Sequence, residues 1–147
     1  AVVDLDTLTN QTFIGKSDNS GNFIRIVDDN SYRHKARNGG EVVIFDYTSG
    51  KTVSADTKFM WEVSRANVQG SEIEVFKNNG EHLNETPADG SNSSAATNGF
   101  AIDQLFTQRA NNSTINGHVF EFVLFSSALS GDDLTNVRND ILTRNGL

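Results

Sequence analysis

Asn-Gly pairs recur between short apolar segments of this chain, and this recurrence limits the folds that the chain can adopt. The pairs stand at residues 38–39, 79–80, 98–99, 116–117 and 145–146. Asn and Gly tolerate the positive φ angles that tight turns and helix C-caps require. The segments between the pairs are short and rich in β-branched and aromatic residues, which is typical of strands. The pattern therefore predicts an all-β protein and argues against a helical bundle.

Alternation within these segments locates the strands and their buried faces. Phe59, Trp61 and Val63 share one face of a strand, and the more polar residues between them share the other. This pattern is typical of a sheet that is buried on one side only. It places Trp61 in the core rather than on a binding surface. The predicted strands are 12–14, 22–27, 31–35, 41–47, 59–65, 71–77, 100–106 and 118–125.

The end of the chain changes from the period of a strand to that of a helix. Segment 118–125 is apolar on both faces except at Glu121, so we expect it to be covered on both sides and Glu121 to need a polar partner. A short amphipathic helix follows and could provide that cover, with an apolar stripe of Leu134, Val137, Ile141 and Leu142. Its expected ends are marked by Ser130, Asp132, Asp133, Arg144 and Gly146.

Length and composition indicate one domain over residues 1–147, as the whole of a processed chain or as a fragment of a longer one. Residues 81–98 are polar and contain the one Pro, so we expect an exposed loop there. The net charge of −7 argues against non-specific binding to nucleic acid. The sequence has no cysteine and no apolar run long enough to span a membrane. Stability must then come from packing.

The closing segment GHVFEFVLFSSALSGDDLTNVRNDIL carries a family pattern. A turn Gly, a strand with a Glu in it, an aromatic residue and an Ala-Leu-Ser helix start occur in that order. This order resembles the end of concanavalin A-like (laminin G-like) jelly-roll domains. The matching positions are Gly117, Val119, Glu121, Phe122, Phe125, Ala128, Leu129, Ser130 and Asp133.

Two further segments extend the resemblance upstream. Residues 60–65 and 72–76, followed by Asn79-Gly80, are similar to the central strand pair of that family. Residues 12–26 are similar to the versions attached to tailed-phage fibres and capsids. The resemblance implies a β-sandwich of two antiparallel sheets with a C-terminal helix, and a further strand within residues 1–8. The chain departs from the family where Ile102-Asp103 replaces an Ile-Gly turn.

A basic and aromatic cluster is the candidate binding site. Alternation puts Tyr32 and His34 on one face of a strand and Arg33 and Lys35 on the other, and Arg25 lies on the preceding strand. Aromatic rings can stack on sugar rings, and guanidinium groups bind carboxylate or sulfate in bidentate fashion. The cluster therefore fits an anionic glycan. The alternative is a solvated edge strand whose charges pair with the acidic residues 28–29.

The sequence patterns that would indicate catalysis or metal binding are weaker than the basic and aromatic cluster. Glu72 and Glu74 share a strand face, but the third acid typical of glycan-cleaving members of this fold is missing, so we expect no enzyme activity. The three histidines lack zinc-ligand spacing. Residues 18–22 and 28–30 offer oxygen ligands suited to Ca²⁺, although turn chemistry explains the same residues. We therefore predict no cofactor, with Ca²⁺ as the one alternative.

These observations lead to one functional hypothesis and its rivals. The chain is predicted to be a non-catalytic, lectin-like module on a virus particle, as a capsid or tail appendage that contacts cell-surface carbohydrate. A purely structural decoration of a capsid or tail, without glycan affinity, is the first alternative. A secreted bacterial adhesin module and a glycoside hydrolase rank below it. The expected location is the virion surface or the outside of a cell.

Overall fold

The computed structural model describes residues 1–18, 22–38, 41–48, 52–65, 73–78, 81–82, 102–108 and 113–147. The described part is mostly β, with a single α-helix near the C-terminus. The elements are β1 (Val2–Leu5), β2 (Gln11–Gly15), β3 (Phe23–Ile26), β4 (Ser31–Asn38), β5 (Glu41–Thr48), β6 (Phe59–Arg65), β7 (Ile73–Lys77), β8 (Glu81–His82), β9 (Gln104–Leu105), β10 (Gly117–Glu121) and α1 (Gly131–Asn145).

The strands form two antiparallel sheets. One sheet has the order β10-β1-β6-β7-β8 and the other has the order β5-β4-β3-β2-β9. Every strand pair in the described residues is antiparallel. The prediction of a mostly β chain with two antiparallel sheets and a C-terminal helix is confirmed.

The two sheets share one apolar core. Val3, Phe59 and Trp61 come from the first sheet and Phe13 and Ile26 from the second, and all five are buried. The rings of Phe13 and Trp61 meet across the sheets with their centroids 4.2 Å apart. Full burial of one such side chain contributes about 1.5–3 kcal/mol. The predicted core position of Trp61 is confirmed, and contacts of this kind hold the sheets together.

The first strand lies inside its sheet. The resemblance implied a strand within residues 1–8, and β1 occupies Val2–Leu5. It pairs with β10 on one side and with β6 on the other. Val2, Val3 and Leu5 are fully buried. The expected strand is therefore present and contributes to both faces of the sheet.

The last strand is shorter than predicted. β10 ends at Glu121, where its ladder with β1 ends at the pair Val2 and Glu121. Beyond it, Val123, Leu124 and Phe125 are 39%, 59% and 45% exposed. The prediction of a covered strand through residue 125 is therefore wrong. Alternation along one segment does not show how far its hydrogen-bonded neighbour extends.

The predicted C-terminal helix is confirmed at both ends. Ser130 occupies the predicted N-cap position in an extended conformation, although its side chain makes no capping hydrogen bond, and Asp132 and Asp133 lie in the first turn. At the other end Gly146 adopts φ 66°, its N–H donates to the Thr143 carbonyl, and the Leu147 N–H donates to the Leu142 carbonyl. These two bonds form a Schellman cap. In the described residues, no helix is long and apolar enough to span a membrane.

The helix packs on the outer face of the first sheet, against β1 and β6. Leu142 is buried against Val2 and Met60, and Ile141 packs beside them. Met60 is therefore only 3% exposed. This corrects the expectation that β6 is buried on one side only, because helix docking is a tertiary contact that strand alternation does not encode.

The region predicted as a loop over 81–98 begins with strand structure. Glu81 and His82 form β8, which pairs with the end of β7. The expectation of a loop is therefore wrong for these two residues, since they pair with Phe76 and Lys77 of β7. Residues 83–98 lie outside the described part.

A cationic face on β3 and β4

Register determines which side chains of β3 and β4 share a face. Arg25 lies opposite Arg33, and Phe23 lies opposite Lys35. Residues directly opposite each other in an antiparallel pair point to the same side of the sheet. Arg25, Arg33 and Lys35 therefore lie together on the outer side of this sheet, and we call these three residues the cationic face.

The aromatic members of the predicted cluster lie on the other side. Tyr32 is 1% exposed and His34 is 4% exposed. The Tyr32 hydroxyl donates to the Asp29 carbonyl at 3.4 Å, and its ring centroid lies 6.3 Å from that of Trp61. The predicted alternation is confirmed. However, a ring buried in the core cannot stack on a sugar, so we restrict the candidate site to the cationic face.

The outer side of β3 also holds an aromatic ring that orients a cation. The Arg25 guanidinium carbon lies 4.6 Å from the centroid of the Phe23 ring. Phe23 is only 3% exposed, although it lies on the outer side. A cation over a ring face is held by electrostatic attraction. Phe23 thus acts as a support for Arg25 and is not an open stacking platform.

The segment after β9 bounds the site on the β2 side. Gly15 lies opposite Phe23 in the ladder. A Cβ atom on Gly15 would meet the Thr107 carbonyl oxygen at 2.5 Å and the Gln108 Cβ at 2.8 Å. The backbone at Thr107 and Gln108 therefore passes directly over Gly15, where only a glycine fits. It forms a wall next to the pair of Phe23 and Arg25.

Sequence reasoning did not identify the polar side chains at this wall. Thr12 lies opposite Arg25, and Gln104 lies opposite Gly15. Buried side-chain oxygens without a hydrogen-bond partner in the described part of the chain occur at Thr12, Gln104, Thr107 and Gln108. No motif marks them, because Gln and Thr are common residues. The pairing of β2 with β3 brings Thr12 beside the cationic face, and the pairing of β9 with β2 brings the other three residues there.

The acidic residues between β3 and β4 stabilise the turn that joins these two strands. The Asn30 N–H donates to the Asp28 carboxylate at 3.2 Å, and the Val27 N–H donates to the Ser31 carbonyl at 2.8 Å. The Asp29 carbonyl accepts the N–H of Val53 at 2.9 Å. These bonds agree with the turn interpretation of residues 28–30. In the described ranges, no group of three His, Asp or Glu side chains could hold a metal ion.

The second candidate for Ca²⁺ lies partly outside the described residues. Of residues 18–22, the structure describes Asp18 and Asn22. The Asp18 carboxylate lies 2.6 Å from the Lys16 ammonium, and this hydrogen bond raises the pKa of Lys16. Next to it, Ser17 donates from its N–H and its hydroxyl to the Asp103 carboxylate, at 2.7 and 2.6 Å. Asp103 thus ties the segment before β9 to the residues that follow β2.

Two carboxylates of the other sheet connect α1 to the strands. Glu62 accepts two hydrogen bonds from the Arg138 guanidinium, at 2.7 and 2.8 Å. Glu121 accepts one from Arg144 and one from the Asn145 amide, the latter at 2.7 Å. The prediction that Glu121 needs a polar partner is confirmed. Both carboxylates hold the helix in place.

The catalytic candidates lie largely outside the described part. Glu72 is not described, and only the backbone of Glu74 is, opposite Ser64 on β6. The absence of enzyme activity therefore stays a prediction. No family model, no curated protein and no solved structure matches the chain. The fold defines the class of protein as mostly β, with two antiparallel sheets and a C-terminal helix.

Proposed function

We propose that the chain is a concanavalin A-like jelly-roll module that binds an anionic carbohydrate, without catalysis, on the cationic face. The observation that supports this most is the gathering of Arg25, Arg33 and Lys35 on one side of β3 and β4. The chain as a whole carries a net charge of −7. Asp46 of β5 lies opposite Arg33 in the ladder, so three cations and one acidic residue come together here, and we expect the excess of cations to attract anions locally.

The chemistry of the cationic face selects among carbohydrates. Guanidinium groups hold carboxylate and sulfate through two parallel hydrogen bonds. Arg25 is oriented by Phe23, and all three cations are half-buried. A half-buried cation is screened less by salt than a fully exposed one. The expected ligand is therefore a polysaccharide with uronic acid or sulfate groups, and a neutral glycan lacks the group that the site recognises.

The proposed setting is the surface of a virus particle, where such a module contacts the polysaccharide of a host cell. The support is the resemblance to phage-appended jelly-roll domains, together with an arrangement of two sheets that fits it. A structural decoration of a capsid or tail is the second candidate. The observation that favours it is the exposed apolar segment at Val123, Leu124 and Phe125.

Calorimetric titration tests the binding proposal. The protein is titrated with a sulfated polysaccharide, a uronic acid polysaccharide and a neutral glucan. The double variant R33Q/K35Q removes two charges from the cationic face. The variant K58Q is the matched control, because Lys58 immediately precedes β6 in the other sheet. We expect the double variant to weaken binding about tenfold or more, since each charged hydrogen bond contributes roughly 1.5–3 kcal/mol, and K58Q to leave binding unchanged.

Three results would contradict the proposal. The first is the absence of heat with any anionic polysaccharide up to about 10 mM in sugar units, where even weak sites fill. The second is equal affinity for the neutral glucan. The third is unchanged affinity in R33Q/K35Q. Binding to purified capsids or tails without any affinity for carbohydrate would favour the structural decoration instead.

A further inference from the structure

Two of the Asn-Gly pairs differ in how their reactive atoms are held. Of the five pairs in the sequence, the structure describes both residues of two, 116–117 and 145–146. An Asn side chain loses ammonia when the backbone nitrogen of the next residue attacks its amide carbon. A following Gly has no Cβ and lets the backbone bend for this attack. Which pair reacts in the folded protein then depends on how these atoms are bonded.

The Asn145-Gly146 pair is held at both reacting groups. The Asn145 amide nitrogen donates to the Glu121 carboxylate at 2.7 Å and to the Ile141 carbonyl at 2.8 Å. The Gly146 N–H donates to the Thr143 carbonyl in the helix cap at 3.3 Å. Ring closure would have to break these bonds. The pair is therefore protected as long as the end of α1 stays formed and docked.

The Asn116-Gly117 pair lacks this protection. Asn116 is exposed, and within the described residues its side chain makes no hydrogen bond. Its backbone is anchored, because the Asn116 N–H donates to the Gln11 side chain at 2.7 Å and the Asn116 carbonyl accepts the Asp6 N–H at 3.1 Å. Neither bond engages a reacting atom, since the reacting atoms are the Asn116 Cγ and the Gly117 nitrogen.

The Gly117 nitrogen is also left out of the ladder between β1 and β10. Leu5 lies directly opposite Gly117, and the adjoining pair of Asp6 and Asn116 is hydrogen-bonded. Hydrogen-bonded and non-hydrogen-bonded pairs alternate along an antiparallel ladder. The pair of Leu5 and Gly117 is therefore of the second kind, and the Gly117 N–H points away from β1. Since β10 is the outermost strand of its sheet in the described part of the chain, this N–H is directed toward the edge of the sheet.

We propose that Asn116 is a site of spontaneous deamidation in the folded protein, while Asn145 keeps its amide. The Gly117 nitrogen forms a bond to the Asn116 Cγ, the bond from Cγ to the amide nitrogen breaks, and the proton from Gly117 leaves with that nitrogen as ammonia. Water then opens the resulting succinimide ring. Opening on one side gives aspartate. Opening on the other side gives isoaspartate, which lengthens the main chain by one methylene group.

The isoaspartate product disturbs the start of β10. The added methylene group stands between the Asn116 N–H, which is bonded to Gln11, and Gly117, which lies so close to β1 that a Cβ atom would clash with the Asp4 carbonyl oxygen. A longer main chain cannot keep both contacts in place. We therefore expect the modified protein to hold β10 less firmly on β1 and to unfold at a lower temperature.

Peptide mapping of the aged protein tests the proposal. The chain is incubated in mildly alkaline buffer, digested under acidic conditions that suppress further reaction, and analysed by mass spectrometry for the gain in mass at each Asn. We expect the deamidated fraction at Asn116 to exceed that at Asn145 by about tenfold or more, because the hydrogen bonds at Asn145 and Gly146 must open first. In urea, where both pairs are unfolded, we expect the two fractions to become similar.

The variant N116Q is the matched control for the loss of stability. Gln would have to close a larger ring and reacts far more slowly, so N116Q ages at every other Asn but keeps an amide at this position. We expect the original chain to lose more of its Tm on ageing than N116Q does, and equal losses would contradict the effect on β10. Two results would overturn the site itself. One is deamidation at Asn145 that equals or exceeds that at Asn116 in the folded protein. The other is an intact Asn116 amide in the folded protein over a time in which the chain in urea reacts.

Discussion

Truncation of Leu142 tests whether α1 is part of the folded unit. Leu142 is 7% exposed and packs against Val2 and Met60. The change L142A removes three carbon atoms from this contact. Buried Leu to Ala changes cost about 2–5 kcal/mol, and Leu142 lies at the edge of the molecule, where neighbours can partly close the gap. We therefore expect a loss of about 2–3 kcal/mol.

Urea unfolding followed by tryptophan fluorescence measures this loss. Trp61 is the one tryptophan and is buried beside Phe13, so its emission reports the shared core directly. The expected loss corresponds to a fall in Tm of roughly 4–12 °C for a domain of this size. The matched control is L134A, because Leu134 lies on the same helix, is half-buried, and is outside the cluster around Leu142.

Either of two outcomes would contradict this role of Leu142. L142A could leave the unfolding midpoint in urea within the error of the original chain. Alternatively, L134A could cost as much as L142A. The first outcome would mean that the helix is not docked on β1 and β6. The second would mean that its contact is not centred on Leu142.

Three further changes follow from particular contacts. G15A should lower the free energy of unfolding by about 2–4 kcal/mol, because the added Cβ meets the Thr107 carbonyl oxygen at 2.5 Å; a midpoint in urea unchanged from the original would show that the segment over Gly15 moves freely. G146A should cost about 1 kcal/mol in thermal unfolding, because φ 66° disfavours a side chain; equal stability would contradict the cap. R138M should cost about 1–2 kcal/mol in urea unfolding, because it leaves the half-buried Glu62 carboxylate without its bidentate partner; a neutral result would mean that this ion pair does not hold the helix.

The parts of the fold that depend on local signals could be predicted from the sequence. The helix over Gly131–Asn145 is an example, since its stripe, acidic first turn and terminal glycine all lie within the segment itself. The strand at Phe59–Arg65 also has the predicted bounds. Alternation located its core face correctly. Both are cases in which sequence neighbours alone determine the geometry.

The parts that depend on distant segments could not be predicted. Met60 alternates with core residues but is buried by a helix more than 70 residues away. Leu124 belongs to an apolar run that reads as a strand, yet the β1 ladder ends at Glu121. In both cases the missing information is which segment lies beside the residue, and that information is a matter of tertiary contacts.

At the candidate site, too, one feature could be predicted from the local sequence and another could not. Alternation in the sequence places Tyr32 and Arg33 on opposite faces of the strand, and the register of β3 and β4 agrees with that separation. It did not decide which of the two faces is turned inward. The core takes the aromatic face because burying an unpaired cation costs far more than burying a ring with one hydroxyl. The proposed binding role therefore falls to the cations and not to Tyr32.

An NMR titration measures whether an anionic sugar binds at the cationic face, as proposed. Backbone amide signals are followed while an anionic oligosaccharide is added. We predict that the largest shifts occur at Arg25, Arg33 and Lys35 and at their neighbours on β3 and β4, and that they diminish as salt is raised. Shifts centred on the exposed residues 123–125 or on α1, or no shifts at saturating sugar, would contradict the proposal.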